Sequence, residues 1–183
     1  MAAPVDFVLR PVVSEDASQI AGLIGDWEVV RWLSTPPYPY SVGDAVEFLR
    51  ELPTMQSGDR RFDAIVIDGR VAGTISIGLR RRGMELAYWL GRPYWGRRII
   101  SLAAAAATSD FFANSSETRL NSGYFSGNER SEAVQVRLGF EISGEGLLFN
   151  RPHGKRLPHF ETTLTRARFE ARQSGRDAQR PKS

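Results

Sequence analysis

Arg97 and Arg98 directly follow Gly96, at a point where a strand-like run gives way to a helix-like one. Upstream, Glu85-Leu86-Ala87-Tyr88-Trp89-Leu90 has the aromatic and aliphatic content of a buried strand. Downstream, the unbroken run Ala103 to Ala107 has high helix propensity and lets a helix pack close to a sheet. A strand, a glycine-containing turn and a helix start make a cradle for phosphate. The first N–H groups of the helix lack intrahelical partners, and the macrodipole favours negative charge there. Two guanidinium groups beside those donors add full positive charge. A second polar set follows. Asn128, Ser131 and Gln135, spaced i, i+3 and i+7, share one face of a predicted helix that Gly139 and Phe140 close.

The segment from Asn128 through Ser131 to Leu138-Gly139-Phe140 resembles the second signature of the GNAT superfamily, in which Asn-x-x-Ser opens a helix and Leu-Gly-Phe ends it. Together with Tyr88-Trp89-Leu90-Gly91-Arg92-Pro93-Tyr94-Trp95-Gly96-Arg97, it is similar to the branch that includes the ribosomal-protein N-terminal acetyltransferases. Arg10-Pro11 near the start, Trp32-Leu33 and the Pro-Tyr pairs of residues 37–40 fit the same branch, so the resemblance covers most of residues 7–165. It implies a GNAT-type α/β domain with a mixed, mostly antiparallel sheet of about six or seven strands and helices on both faces. It also implies transfer of an acetyl group from acetyl-CoA to a primary amine, on a protein N-terminus or a small molecule, by direct attack with both substrates bound.

The resemblance assigns the pyrophosphate to the backbone around Trp95, Gly96, Arg97, Arg98 and Ile99. It pairs the pantetheine arm with the main chain from about Trp89 through Leu90 to Gly91, where an N–H polarises the acetyl carbonyl. Asn128 and Ser131 are placed beside the sulfur, which makes Ser131 the candidate proton donor to the departing thiolate. Trp32, Tyr38 and Tyr40 lie in the segment that, by the same resemblance, overhangs the acceptor, where aromatic rings can hold a cationic amine; Trp27 reads as core. A lysine-like amine (pKa about 10.4) or an α-amine (about 7.7–8.0) must lose a proton before it attacks. Glu85 is the first candidate base, acting directly or through water, with a plain surface carboxylate as the other reading; His153 is the second candidate.

Three positions depart from the family pattern. Arg98 stands where a Gly or Ala is usual, Leu102 where a Glu is common, and Pro158 where the last strand region usually has an Asp. Arg98 either obstructs the close approach of the phosphates or swings outward and clamps one. The first alternative leads to a different function, a non-catalytic acyl-CoA-binding module.

The elements that must position these groups are legible in order. Residues 6–13 read as a first strand, and Ser14 as the N-cap of a helix with Ile20, Leu23 and Ile24 on its apolar face. A short helical turn follows around Trp27, then a proline-rich loop, then a helix opened by Ser41 to Asp44. Asp68-Gly69 between two β-rich runs predicts a hairpin, and Arg80-Arg81-Arg82 reads as a solvated turn. Strands over 85–90, 118–125, 141–150 and 155–165 complete the sheet.

The chain has 183 residues, suited to one domain over residues 1–165. It has no cysteine and two histidines, which excludes thiol chemistry and argues against a metal centre. No signal-like or membrane-spanning apolar run is visible, so the expectation is a cytoplasmic protein with no membrane partner. From Arg166 onward six basic and two acidic residues give +4, against +3 for the whole chain. Residues 166–183 therefore read as a basic, disordered tail on a nearly neutral body, with nucleic acid or the ribosome as its candidate partner. A homodimer is left open.

Overall fold

The computed structural model describes residues 6–55 and 61–178. Its elements run β1 (Val8–Pro11), α1 (Ala17–Ile24), α2 (Trp27–Val30), α3 (Val42–Met55), β2 (Arg61–Ile67), β3 (Arg70–Arg80), β4 (Gly83–Leu90), α4 (Ile99–Asn114), β5 (Arg119–Phe125), α5 (Glu129–Leu138), β6 (Glu141–Asn150), β7 (Lys155–Thr165) and α6 (Arg166–Ala178). Seven strands form one sheet in the order β1-β2-β3-β4-β5-β7-β6. All neighbours are antiparallel except β4 and β5. The Asp68-Gly69 hairpin forms as expected, with φ of 49° and 74° at its two central residues, the positive pair that a type I′ turn demands.

Strand alternation divides the core between the two faces of the sheet. Ile65, Ile75, Ile77, Leu86 and Leu90 point to one face, where Ile99, Ala103, Ala104 and Ala107 of α4 and Val134 and Leu138 of α5 cover them. The alanine run lets the α4 backbone lie close to β3 and β4. Ala64 and Val71 point to the other face, against Ile20 and Ala21 of α1 and Ala45 and Leu49 of α3. This second layer covers the β1–β3 half of the sheet and leaves the β4–β5–β7 half of that face to loops.

Two local expectations change. Helix α1 is not capped by Ser14: Asp16 accepts the Val13 N–H at 3.0 Å and forms a two-pronged ion pair with Arg10 of β1. A buried carboxylate thus ties the first strand to the first helix, and the Arg10 guanidinium holds its pKa below the usual carboxylate range. The segment from Arg166 read as a disordered tail is instead helical through Ala178. Phe169 is buried against Phe112, with ring centroids 5.2 Å apart. Arg166 donates to the carbonyls of Phe112, Ser115 and Glu117 at the C-terminal end of α4, where unpaired carbonyls favour a cation. Arg168 pairs with Glu141 at 2.6 Å. One aromatic and these cap contacts anchor a segment whose average composition is that of a solvated chain, and its first basic residues are engaged by the fold itself. Residues 179–183 of the expected tail lie outside the described residues.

Phe169→Ala should lower unfolding stability by about 3 kcal/mol, the usual cost of emptying a buried phenylalanine site. A denaturation midpoint that does not move would show that α6 adds nothing to the core.

Candidate functional site

Parallel strands β4 and β5 share a single register pair, Glu85 with Asn121, and then part. The junction is reinforced by side chains: Asn121 Nδ2 donates to the carbonyls of Arg82 and Met84, and Ser122 Oγ to that of Leu86 at 2.9 Å. Beyond it opens a cleft of about 870 Å³, lined by both strands, the α4 N-terminus and α5. Gly91 N–H donates to Ala72 O, which fixes the antiparallel β3–β4 ladder so that alternate residues of β4 face β3. Leu86, Tyr88 and Leu90 therefore turn their main-chain groups toward β5. The Leu86 carbonyl is taken by Ser122, and the Leu90 carbonyl by Trp95 Nε1 at 2.7 Å. The N–H and C=O of Tyr88 and the N–H of Leu90 are left facing the cleft. The main chain of Trp89, expected to pair with a ligand arm, is committed to Thr74 of β3, and its ring packs on the α1–α3 side.

At one end of the cleft the loop between β4 and α4 makes two left-handed steps, at Gly96 (φ 75°) and at Arg98 (φ 59°), the N-cap of α4. Gly96, Arg98, Ile99, Ile100 and Ser101 line the cleft, so the first N–H groups of α4 open onto it. Arg97 is exposed and lies off the lining. A cation that spacing alone did not reveal stands opposite: Arg130, in the first turn of α5, stacks on the Trp95 ring 4.2 Å from its centroid. Its position between Asn128 and Ser131 was the available signal.

Ser131 and Asn128 line the cleft from the start of α5. Asn128 Oδ1 accepts the Ser131 N–H at 3.3 Å and caps α5, while Gly139 (φ 101°) ends it. Gln135 is buried and its orientation is fixed. Its Oε1 accepts from Thr162 Oγ1 at 2.6 Å, and its Nε2 donates to Gly123 O at 3.0 Å and to Ser131 Oγ at 3.4 Å. Tyr88 lies 3.1 Å from Ser131 Oγ and 3.3 Å from Ser131 O, and burial pushes its pKa up to about 12. Gln135 Nε2 donates to the serine oxygen, and across the 3.1 Å contact either hydroxyl can be the donor, so Tyr88 and Ser131 share a proton-exchanging pair inside the cleft. Tyr88 is thus a member of the site that its strand position had marked only as core.

The opposite face of the same strands carries charge. Arg82, expected in a solvated turn, is largely buried: it donates to Ser122 O at 2.5 Å and lies 3.5 Å from Glu161 and 4.0 Å from Glu85. Glu85 lines the cleft, joined by Glu161 and His159 of β7. Trp32 borders this mouth, but Tyr38 and Tyr40 do not reach it. Tyr38 packs on Trp27, whose other neighbour is His153, and Tyr40 packs against the α1–α3 core. Nor does His153 reach the cleft; its Nδ1 bonds Asn150 Oδ1 at 2.8 Å. Asn150, fully buried, also accepts the His153 N–H and donates to the carbonyls of Arg31 and Leu33, so all its hydrogen-bonding capacity goes to fixing the Trp32 loop against the β6–β7 end.

A left-handed arginine costs about 1–2 kcal/mol, whereas glycine there would forfeit about 0.5–1 kcal/mol of chain entropy. The strain outweighs the entropy. Arg98→Gly should therefore raise stability by about 0.5–1 kcal/mol in chemical denaturation; a loss of stability would mean that the Arg98 side chain holds the loop.

Comparison with known proteins agrees with this fold. Residues 6–141 match the Acetyltransferase (GNAT) domain. A protein of Bacillus subtilis (strain 168) named "Putative ribosomal N-acetyltransferase YdaF" is 26% identical over 161 residues, which cover 79% of this chain and 85% of that one. The RimJ structure of Mycobacterium smegmatis, in complex with CoA-disulfide, superposes with a TM-score of 0.76 at 21% identity, over 88% of this chain and 82% of that one. The ribosomal-protein-S5-alanine acetyltransferase of Vibrio fischeri superposes with a TM-score of 0.74, also at 21% identity, over 87% and 92% of the two chains. The chain belongs to the GNAT acetyltransferase family.

Proposed function

We propose that this protein transfers the acetyl group of acetyl-CoA to a primary amine, with the α-amine of a protein N-terminus as the acceptor, by direct attack in a ternary complex. The parting of β4 and β5 carries the reading. It leaves the N–H and C=O of Tyr88 and the N–H of Leu90 free for an extended amide chain such as pantetheine. The cleft ends in the α4 N-terminus, with Arg98 beside it for phosphate. In this reading a cleft-facing main-chain N–H polarises the thioester carbonyl, and Ser131 delivers its hydroxyl proton to the thiolate. Glu85 and Glu161 at the other mouth attract an ammonium. The name of the Vibrio relative favours an α-amine acceptor, because the alanine it acts on has no side-chain amine, and that of the Bacillus relative gives a ribosomal one.

The chain has no cysteine, so a thiol reagent reads released CoA without protein background. The acceptors to offer are tripeptide amides with free N-termini, alongside N-blocked lysine peptides. Acetyl-CoA should bind in calorimetry, and Arg98→Gly should weaken it about tenfold through loss of a phosphate clamp worth ~1.4 kcal/mol. CoA release should follow the free N-termini. Ser131→Ala should lower kcat by about a hundredfold at unchanged acetyl-CoA affinity. Binding without transfer to any amine would sink the enzyme reading in favour of an acyl-CoA-binding module. Tighter binding by the Arg98→Gly protein would make Arg98 an obstruction.

A further inference from the structure

Of the two histidines in the chain, His159 alone lines the cleft. Its register partner across β5 is Phe125, which it meets edge-on at 5.2 Å and 75°. The next residue of β5 on that face is Gly123, and a Cβ there would run into His159 Cε1 and Nε2. The absent side chain lets the imidazole lie across the β5 main chain, beside the gap between β5 and β4. Neither ring nitrogen is hydrogen-bonded among the described residues. His153, by contrast, commits its Nδ1 to Asn150.

The charges on the His159 side of the cleft come from three elements. Its own strand supplies Glu161, β4 supplies Glu85 and the turn before β4 supplies Arg82; its β6 register partner is Gly146, with Glu145 paired to Phe160 on the other face, and β5 offers Gly123 and Phe125. Burial, with Arg82 adding to it and Glu161 opposing, lowers the proton affinity of His159 below that of a free histidine. The ring is then neutral at pH 7. Both carboxylates are shared with arginines: Glu161 lies 3.3 Å from Arg81 and 3.5 Å from Arg82, and Glu85 lies 4.0 Å from Arg82. Their oxygens are thus engaged by guanidinium groups, whereas the lone pair of a neutral imidazole with no partner among the described residues can accept a proton.

We propose that His159 is the general base of the acceptor half-site, taking a proton from the ammonium that Glu85 and Glu161 draw in. This rests on the acetyl-transfer reading above. The imidazole lone pair accepts one N–H proton, and the freed nitrogen lone pair forms the C–N bond at the acetyl carbonyl carbon. The C–S bond then breaks toward sulfur. Of the two protons that leave nitrogen overall, one passes through His159 to solvent. The other replaces the proton that Ser131 gives to the thiolate, so the serine is restored and the products are amide, CoA thiol and one solvent proton.

The test is the pH dependence of kcat/KM with the tripeptide amides, for the wild type, His159→Gln and Glu85→Gln, with acetyl-CoA affinity measured on each. A base must be unprotonated, so the wild-type rate should fall as pH drops through the His159 pKa. His159→Gln should lose about a hundredfold in kcat/KM together with that acid limb, at unchanged acetyl-CoA affinity, and Glu85→Gln should keep the limb. His159→Ala should regain rate when free imidazole is added, which a packing role alone would not produce. An acid limb that survives in His159→Gln, or disappears in Glu85→Gln instead, overturns the assignment while acetyl transfer stands. A wild type that binds acetyl-CoA yet acetylates none of the amines overturns both.

Discussion

A sheet normally continues once two strands have begun to pair, because each further residue satisfies two more backbone groups. Here β4 and β5 stop after one pair. Asn121 and Ser122 use side chains to bond the carbonyls of Arg82, Met84 and Leu86, so the junction is secured without further ladder. From there each strand is held by its outer neighbour, β4 by β3 and β5 by β7. The parting therefore leaves unpaired backbone on the inner edge of β4, and that inner edge is what makes the fold a site. Everything else arranged around the cleft depends on it: the loop at its end, the helix beside its middle and the charges at its other mouth.

The sheet also separates two environments. On the α4–α5 face four neutral groups satisfy one another: Tyr88, Ser131, Gln135 and Thr162 form a chain of hydrogen bonds with a buried amide at its centre. A buried network in which every member has a partner is rigid, and rigidity fixes where the serine oxygen sits. On the opposite face Arg82, Glu85 and Glu161 form a charged group at the opening, where no helix of the α1–α3 layer covers them. Strand alternation alone puts the neutral donors on one side and the charges on the other, because Tyr88 and Glu85 are an odd number of residues apart on β4.

Much of this was legible in the sequence, for identifiable reasons. Strands and helices with strong periodicity, the Asp68-Gly69 turn and the α5 stop at Gly139 follow local rules that the chain obeys. The resemblance carried Gly96, Arg98, Asn128 and Ser131 to the cleft, because those residues sit on elements whose ends are fixed by their own motifs. What failed was long-range. The partners of Arg82 lie on β5 and β7, far along the chain, so a run of three arginines read as solvent-exposed. Tyr38 and Tyr40 were credited with an acceptor role on loop position alone, yet each found a ring or core surface nearer than the cleft. The α6 segment misled through composition, in which a single Phe169 carries little weight although in space it packs on Phe112.

At Arg98 backbone energetics and function meet. A residue with a Cβ in the left-handed region is strained, and glycine would remove the strain without disturbing the fold. The side chain is exposed, so packing does not account for the residue. What the position does offer is a cation at the N-cap of α4, beside the N–H groups that open onto the cleft. Strain of this kind persists at a site when the surrounding structure fixes the backbone and the side chain acts on a ligand rather than on the protein. Under the acetyl-transfer reading that ligand is a phosphate. The guanidinium then supplies in charge what the small residue usual at this position supplies in space.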